Sequence, residues 1–156
     1  MDNPKTSRRD FCAHAISLVT VASLIEGCGS KGNPAGSGGG TNVPALATIN
    51  GGAAGGTVTV TNVSGTALAS VGSAALVQAG GNNILVTRSA QDSFSAVTAV
   101  CTHEQCVVSG FESGAFVCPC HGSRYTTSGA VVQGPATRAL ASFSTQFTNN
   151  VLTITV

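Results

Sequence analysis

Reactive side chains concentrate in two short segments of this chain. The first reads Cys-Thr-His-Glu-Gln-Cys over residues 101–106, and the second reads Cys-Pro-Cys-His-Gly-Ser-Arg-Tyr over residues 118–125. Together they hold four of the 6 cysteines and two of the 3 histidines in a chain of 156 residues. Thiolates and imidazoles are the ligands that zinc and iron prefer in proteins. The two segments therefore predict a metal centre.

The spacing of these residues defines a set of four ligands. Cys-x-His in the first segment and Cys-x-x-His in the second offer two thiolates and two imidazoles, from Cys101, His103, Cys118 and His121. This set suits a tetrahedral zinc ion, or a [2Fe–2S] cluster with two Cys on one iron and two His on the other. Cys106 and Cys120 are then spare, and in an exported protein such an adjacent pair is expected to form a disulfide.

The elements that position the two segments are predicted to be strands. Residues 107–117 look like a strand, a Glu112-Ser113-Gly114 turn and a returning strand, which would bring the segments side by side. From Val43 onward no helical period is found, and Thr57–Thr61 alternates as a half-buried strand does. Further strand candidates cover residues 74–78, 84–88, 94–100, 115–118 and 151–156, with turn signals at 80–83 and 149–150. The pattern predicts one all-β domain, a sandwich or barrel, over residues 43–156.

The joined pattern Cys-Thr-His-x-x-Cys and Cys-Pro-Cys-His-Gly-Ser-x-Tyr resembles the two boxes of Rieske iron–sulfur proteins. Gly134-Pro135-Ala136 resembles the proline loop that covers the cluster in that family, and the similarity runs from about Ile84 to the C-terminus. The resemblance implies an antiparallel β sandwich or barrel with an inserted cluster-binding subdomain at about residues 98–136. It also implies one [2Fe–2S] cluster per chain.

The resemblance also implies a role for each residue of the motifs. Cys101 and Cys118 would bind the inner iron, and His103 and His121 the outer, more exposed iron. The remaining assignments are a Cys106–Cys120 disulfide, hydrogen bonds from Ser123 and Tyr125 to sulfur atoms of the site, and a covering loop at Gly134 and Pro135. Donors aimed at these sulfurs would stabilise the reduced state.

One pair of residues departs from the family pattern. Members that oxidise quinol usually carry Leu-Gly between the first-box His and Cys, whereas this chain has Glu104 and Gln105. A negative charge at this tip disfavours docking at an apolar quinol pocket, although a solvated residue without consequence is an equal interpretation.

Three functions follow from the motifs. The first is a one-electron carrier with no catalytic site of its own, working with a redox partner that is a cytochrome or an oxidoreductase complex. The second is the Rieske subunit of a quinol:cytochrome c oxidoreductase or of another periplasmic oxidoreductase. The third is a zinc-stabilised lipoprotein without a redox role. Binding to nucleic acid is excluded, because only 8% of residues are charged and the formal net charge is +1.

The first 28 residues look like a targeting segment rather than part of the folded domain. Arg8-Arg9 followed by Asp10-Phe11 resembles a twin-arginine export signal, and the uncharged stretch 11–25 is short for a membrane span. An ordinary secretory signal is the alternative.

Residues 25–29 resemble a bacterial lipobox with Cys28 as the lipidated residue, although Glu26 departs from it; the alternative is an uncleaved apolar anchor. Residues 29–42 are rich in Gly and Ser and are predicted to be a flexible tether that lets the domain move above the membrane surface.

Overall fold

The computed structural model describes residues 42–156, and within them the regular elements are twelve β-strands and one 3₁₀ turn, Val63–Gly65. The strands are β1 Ala47–Asn50, β2 Gly52–Ala54, β3 Thr57–Val60, β4 Ala74–Ala79, β5 Asn82–Ala90, β6 Ser93–Thr98, β7 Gly110–Glu112, β8 Ala115–Val117, β9 Arg124–Thr126, β10 Val131–Gln133, β11 Ser142–Thr148 and β12 Val151–Thr155. In this part of the chain no helix is long and apolar enough to cross a membrane. The twin-arginine-like segment, Cys28 and tether residues 29–41 lie outside the described residues.

Eight strands form a nearly closed barrel in the order β1-β4-β5-β6-β11-β12-β3-β2. The two outermost strands, β1 and β2, are consecutive in the chain and are separated only by Gly51. The Gly51 N–H donates to the Gln78 carbonyl at 2.9 Å, and a Cβ on Gly51 would lie 2.9 Å from the Thr59 carbonyl oxygen. Glycine at this position therefore allows β1, which pairs with β4, to continue directly into β2, which pairs with β3, and this nearly closes the barrel.

The other four strands form a separate sheet in the order β10-β9-β8-β7, inserted between β6 and β11. The segment that enters the domain lies along the outer edge of this sheet. The Leu46 N–H donates to the Ser109 carbonyl at 2.7 Å, and the Phe111 N–H donates to the Pro44 carbonyl at 3.1 Å. The predicted all-β barrel with an inserted subdomain is confirmed.

The predicted strands correspond to β3, β4, β5, β6, β8 and β12. The predicted hairpin is also present as β7 and β8, with Ser113 and Gly114 at φ 52° and 76° in its turn. Positive φ at both central residues matches the right-handed twist of the flanking strands. The tight turn before β5 is confined to Gly80 and Gly81, and Asn82 already pairs with Ala79 in the sheet.

Buried apolar side chains form two clusters, one inside the barrel and one beneath the inserted sheet. The barrel cluster includes Val77, Val86 and Ile154, and the second includes Phe116 and Leu85. The second cluster also contains Cys101, Cys118 and Tyr125. Part of the predicted metal site is therefore built into the hydrophobic core that joins the sheet to the barrel.

Candidate metal centre

The two cysteine/histidine segments form loops at one end of the inserted sheet, the first preceding β7 and the second joining β8 to β9. In the first loop the Cys101 N–H donates to the Cys106 carbonyl at 2.8 Å, and the Gln105 N–H donates to the Cys101 carbonyl at 2.9 Å. In the second loop the Cys118 N–H donates to the Ser123 carbonyl at 2.9 Å. These bonds tie each cysteine to the end of its own loop.

The two loops have the same backbone arrangement. The second loop is completed by the Gly122 N–H, which donates to the Cys118 carbonyl at 3.0 Å as the Gln105 N–H does to Cys101. Gln105 and Gly122 occupy equivalent positions, and both lie in the left-handed region at φ 57° and 75°. Glycine adopts this conformation readily because it has no Cβ, whereas the Cβ of Gln105 makes the same conformation unfavourable.

Both loops aim backbone amides at a buried sulfur. Cys101 and Cys118 are each 1% exposed, and neither forms a disulfide. Burial raises the pKa of the Cys101 thiol, but hydrogen bonds from the Tyr125 hydroxyl and the amides of His103 and Glu104 leave that pKa below its ordinary value. For Cys118, burial dominates and its pKa is raised, although amides of its own loop favour the thiolate. Two of the predicted ligands thus face each other in a buried, polar-lined site.

The two histidines lie at the exposed end of the same site. The ring centroids of His103 and His121 are 5.0 Å apart and the rings are nearly perpendicular. The Glu104 carboxylate oxygen lies 3.7 Å from His121 Nδ1, and the two side chains are 60% and 47% exposed. The site is therefore polarised, with sulfur on the buried side and imidazole nitrogen on the solvent side.

A disulfide between Cys106 and Cys120 joins the two loops, with their Cα atoms 6.6 Å apart. Both sulfurs lie within 4.8 Å of each other and of the Cys118 Sγ. The predicted pairing is confirmed, and it leaves Cys101 and Cys118 as the free thiols of the described residues.

A third loop, residues 134–138, is fastened to both ligand loops by one side chain from each. The Ala136 N–H donates to the fully buried Ser123 Oγ at 3.0 Å, and the Thr102 Oγ1 donates to the Arg138 carbonyl at 2.6 Å. Pro135, which follows a cis peptide bond, is exposed. The predicted covering loop thus lies beside the two cysteine/histidine loops.

Tyr125 connects the buried sulfur to this network. Its side chain is 0% exposed, and its Oη lies 3.2 Å from Cys101 Sγ. Burial and the neighbouring Cys101 raise the pKa of Tyr125, so the phenol keeps its hydrogen. Its other neighbour, Thr102, lies within the first motif but was assigned no role from the sequence.

The residues present fit a [2Fe–2S] cluster. The donor set consists of two buried thiols and two exposed imidazoles, a mixed set that holds a [2Fe–2S] cluster with two Cys on one iron and two His on the other. Ser123 Oγ accepts from Ala136, and its own hydrogen has no acceptor among residues 42–156. A buried hydroxyl hydrogen without a protein acceptor is available to a group bound between the loops.

Comparison with known proteins agrees with this geometry. Residues 59–144 match the Rieske [2Fe–2S] domain family. The cytochrome b6-f complex iron-sulfur subunit of Prochlorococcus marinus (strain AS9601) is 57% identical over 47 residues, which are 29% of this chain and 26% of that protein. The subunit of the same name from Synechococcus elongatus is 46% identical over 59 residues, 37% of this chain and 33% of that protein. This chain therefore matches a third or less of the length of these relatives.

A chain of the complex of reduced oxygenase and oxidized ferredoxin in carbazole 1,9a-dioxygenase superposes with a TM-score of 0.51. It is 22% identical, and the match covers 64% of this chain and 93% of that chain, which shows a shared fold. The family match covers more than half of the chain and includes both ligand loops and the third loop. The chain belongs to the Rieske [2Fe–2S] domain family, and its two cysteine/histidine loops form the binding site for a [2Fe–2S] cluster.

Proposed function

We propose that this chain is an exported, membrane-tethered carrier of single electrons. Cys101 and Cys118 bind the inner iron of its cluster, and His103 and His121 bind the outer iron. The observation that supports this assignment most directly is the polarity of the site, in which the thiols of Cys101 and Cys118 are buried and His103 and His121 are exposed.

The ligand loops determine where electrons enter and leave. The bound cluster supplies one-electron chemistry. The imidazoles of His103 and His121 are the exposed members of the ligand set, so they form the edge that a redox partner contacts. The buried cysteines exclude water from the opposite side. The chain needs no catalytic residues of its own for this role.

Ser123 and Tyr125 adjust the affinity of the site for an electron. Ser123 is held by the Ala136 amide with its hydrogen free, and Tyr125 lies within hydrogen-bond distance of the Cys101 sulfur. Two thiolates and two neutral imidazoles leave the oxidised centre formally uncharged, and reduction adds one negative charge. Hydrogen bonds to sulfur therefore favour the reduced state.

The proposal for location rests on residues 1–28 and 29–42. Arg8-Arg9 directs export of the folded protein, because the cluster is assembled in the cytoplasm and would be lost from an unfolded chain. The Cys106–Cys120 disulfide closes after export, since the cytoplasm keeps thiols reduced. Cys28 carries lipid or the apolar stretch remains as an anchor. A 14-residue tether spans about 20 Å, which gives residues 43–156 reach above the membrane.

The partner is a cytochrome or an oxidoreductase complex. Identity to the cytochrome b6-f subunits favours a second candidate function, the Rieske subunit of a membrane complex that oxidises quinol. Glu104 is an argument against this second function, because it places an exposed carboxylate beside His121. An apolar side chain at this position would suit docking at a quinol pocket better. Co-purification from native membranes distinguishes the two: a free carrier elutes alone, and a subunit elutes with a cytochrome b.

The ligand assignment is tested by iron content and spectroscopy. Protein made with intact iron–sulfur assembly should hold two irons per chain and show a visible band and, when reduced, an EPR signal. Cys118→Ser should lose both irons. The Cys106→Ser/Cys120→Ser double variant removes two neighbouring sulfurs that are not in the ligand set, so it should keep iron even though it lacks the crosslink between the loops. Stoichiometric zinc without iron in the unaltered protein would contradict the assignment.

The location is tested by two variants of the N-terminal residues. Replacing Arg8 and Arg9 by lysine should leave precursor in the cytoplasm, because recognition depends on the guanidinium pair. Cys28→Ala should release the domain into the periplasmic fraction if lipid is the anchor, since two acyl chains are needed for stable attachment. Normal export of the double-lysine variant with its cluster would contradict the twin-arginine assignment.

A further inference from the structure

The hydroxyl of Tyr125 has more acceptors than it has hydrogens. Its Oη accepts from the Thr102 N–H at 3.3 Å. Two further atoms each lie 3.2 Å from it, the Cys101 Sγ and the Thr102 Oγ1. A phenol carries one hydrogen, so it cannot donate fully to both atoms at once.

The Thr102 hydroxyl is fixed as an acceptor toward Tyr125. Its single hydrogen is donated to the Arg138 carbonyl at 2.6 Å, which leaves only lone pairs for Tyr125. Thr102 is half-buried, and the Arg138 carbonyl belongs to the third loop. The third loop therefore determines which way the Thr102 hydroxyl faces.

We propose that Thr102 is a positioning residue whose Oγ1 competes with the Cys101 sulfur for the hydrogen of Tyr125. This inference rests on the proposed role of Cys101 as an iron ligand. The competition withdraws part of one hydrogen bond from the ligand sulfur and thereby lowers the reduction potential. Because the Arg138 carbonyl orients the Thr102 hydroxyl, the potential is linked to the position of the third loop.

The test is a cycle of variants in the holoprotein. Thr102→Val keeps the shape of the side chain and removes the competing oxygen, and Thr102→Ser keeps the hydroxyl. Both are made with Tyr125 present and in the Tyr125→Phe background. With Tyr125 present, Thr102→Val should shift the equilibrium toward the reduced form by about fivefold, which is ~40 mV upward at about 59 mV per tenfold for one electron. Thr102→Ser should leave the potential unchanged.

The decisive comparison is between backgrounds. In Tyr125→Phe protein the Thr102→Val change should have no effect on the potential, because no phenol hydrogen remains to redistribute. Resonance Raman gives a second readout: with Tyr125 present, Thr102→Val should shift the iron–cysteine stretch. Thr102→Ala serves the same comparison if the valine variant folds poorly.

An equal shift of potential in both backgrounds would overturn the proposal, since it would show that Thr102 acts only by fastening the third loop. An unchanged potential with the cluster intact would also overturn it, and the ligand assignment would stand. Absence of the cluster from the unaltered protein is a different result, which would overturn the ligand assignment and this inference with it.

Discussion

Ser123→Ala tests how the protein adjusts the potential of its centre. Ser123 is 0% exposed, and its Oγ accepts the Ala136 N–H at 3.0 Å, so its hydrogen is left to point into the site. We expect the substitution to remove one donor to a sulfur that gains negative charge on reduction. The reduced state should lose stabilisation, and the potential should fall.

The size of the fall follows from the charge. A hydrogen bond to a charged group contributes ~1.5–3 kcal/mol. At about 59 mV per 1.4 kcal/mol for one electron, Ser123→Ala should lower the potential by roughly 60–130 mV. The substitution also leaves the amide of Ala136, a residue only 3% exposed, without its acceptor, which should lower the free energy of unfolding by about 1–3 kcal/mol.

The assay is a redox titration of each variant with its iron content measured in parallel. Ser144→Ala on β11 is the control, because it makes the same chemical change at an exposed position of the barrel. It should leave the reduction potential and the iron content unchanged. A Ser123→Ala protein with two irons and an unaltered potential would contradict this role, since the hydroxyl would then not reach a sulfur.

Three further predictions concern stability, measured as the free energy of unfolding in denaturant. Thr87→Val should stabilise by about 1 kcal/mol, because the buried Thr87 hydroxyl has no partner among the described residues; a loss of stability would contradict this. Arg88→Met should cost about 2–4 kcal/mol, since the buried guanidinium donates to three backbone carbonyls and lies over two phenylalanine rings; a neutral result would contradict it. The Cys106→Ser/Cys120→Ser double variant should lower the free energy of unfolding by ~3 kcal/mol, as expected for a crosslink spanning 14 residues. An unchanged free energy of unfolding would show that the crosslink does not stabilise the fold.

The metal centre was predictable because its chemistry is local. Ligand types and their spacing are visible in residues 101–106 and 118–125, and the hairpin between them has an unambiguous turn. The alternating strands β3 and β12 were predictable for the same reason, since each buries every second residue. The disulfide follows from the resemblance together with the leftover cysteine pair.

One missed feature, strand β11, had a local signal, whereas the other two depend on distant contacts. β11 does alternate, with Phe143, Thr145 and Phe147 more buried than their neighbours, so its signal was present and was not used. The closure of the barrel at Gly51 depends on Thr59, whose approach no local pattern encodes. The bond from Thr102 to the Arg138 carbonyl spans 36 residues and likewise has no signal in the sequence.

The most direct test of the ligand assignment is the Mössbauer spectrum of oxidised protein enriched in ⁵⁷Fe. Assignment of Cys101 and Cys118 to one iron and His103 and His121 to the other makes the two irons chemically different. Because their ligands differ, the two irons should give two quadrupole doublets of equal area with distinct isomer shifts. A single doublet from two equivalent irons with sulfur ligands only, or protein that holds zinc in place of iron, would contradict the assignment.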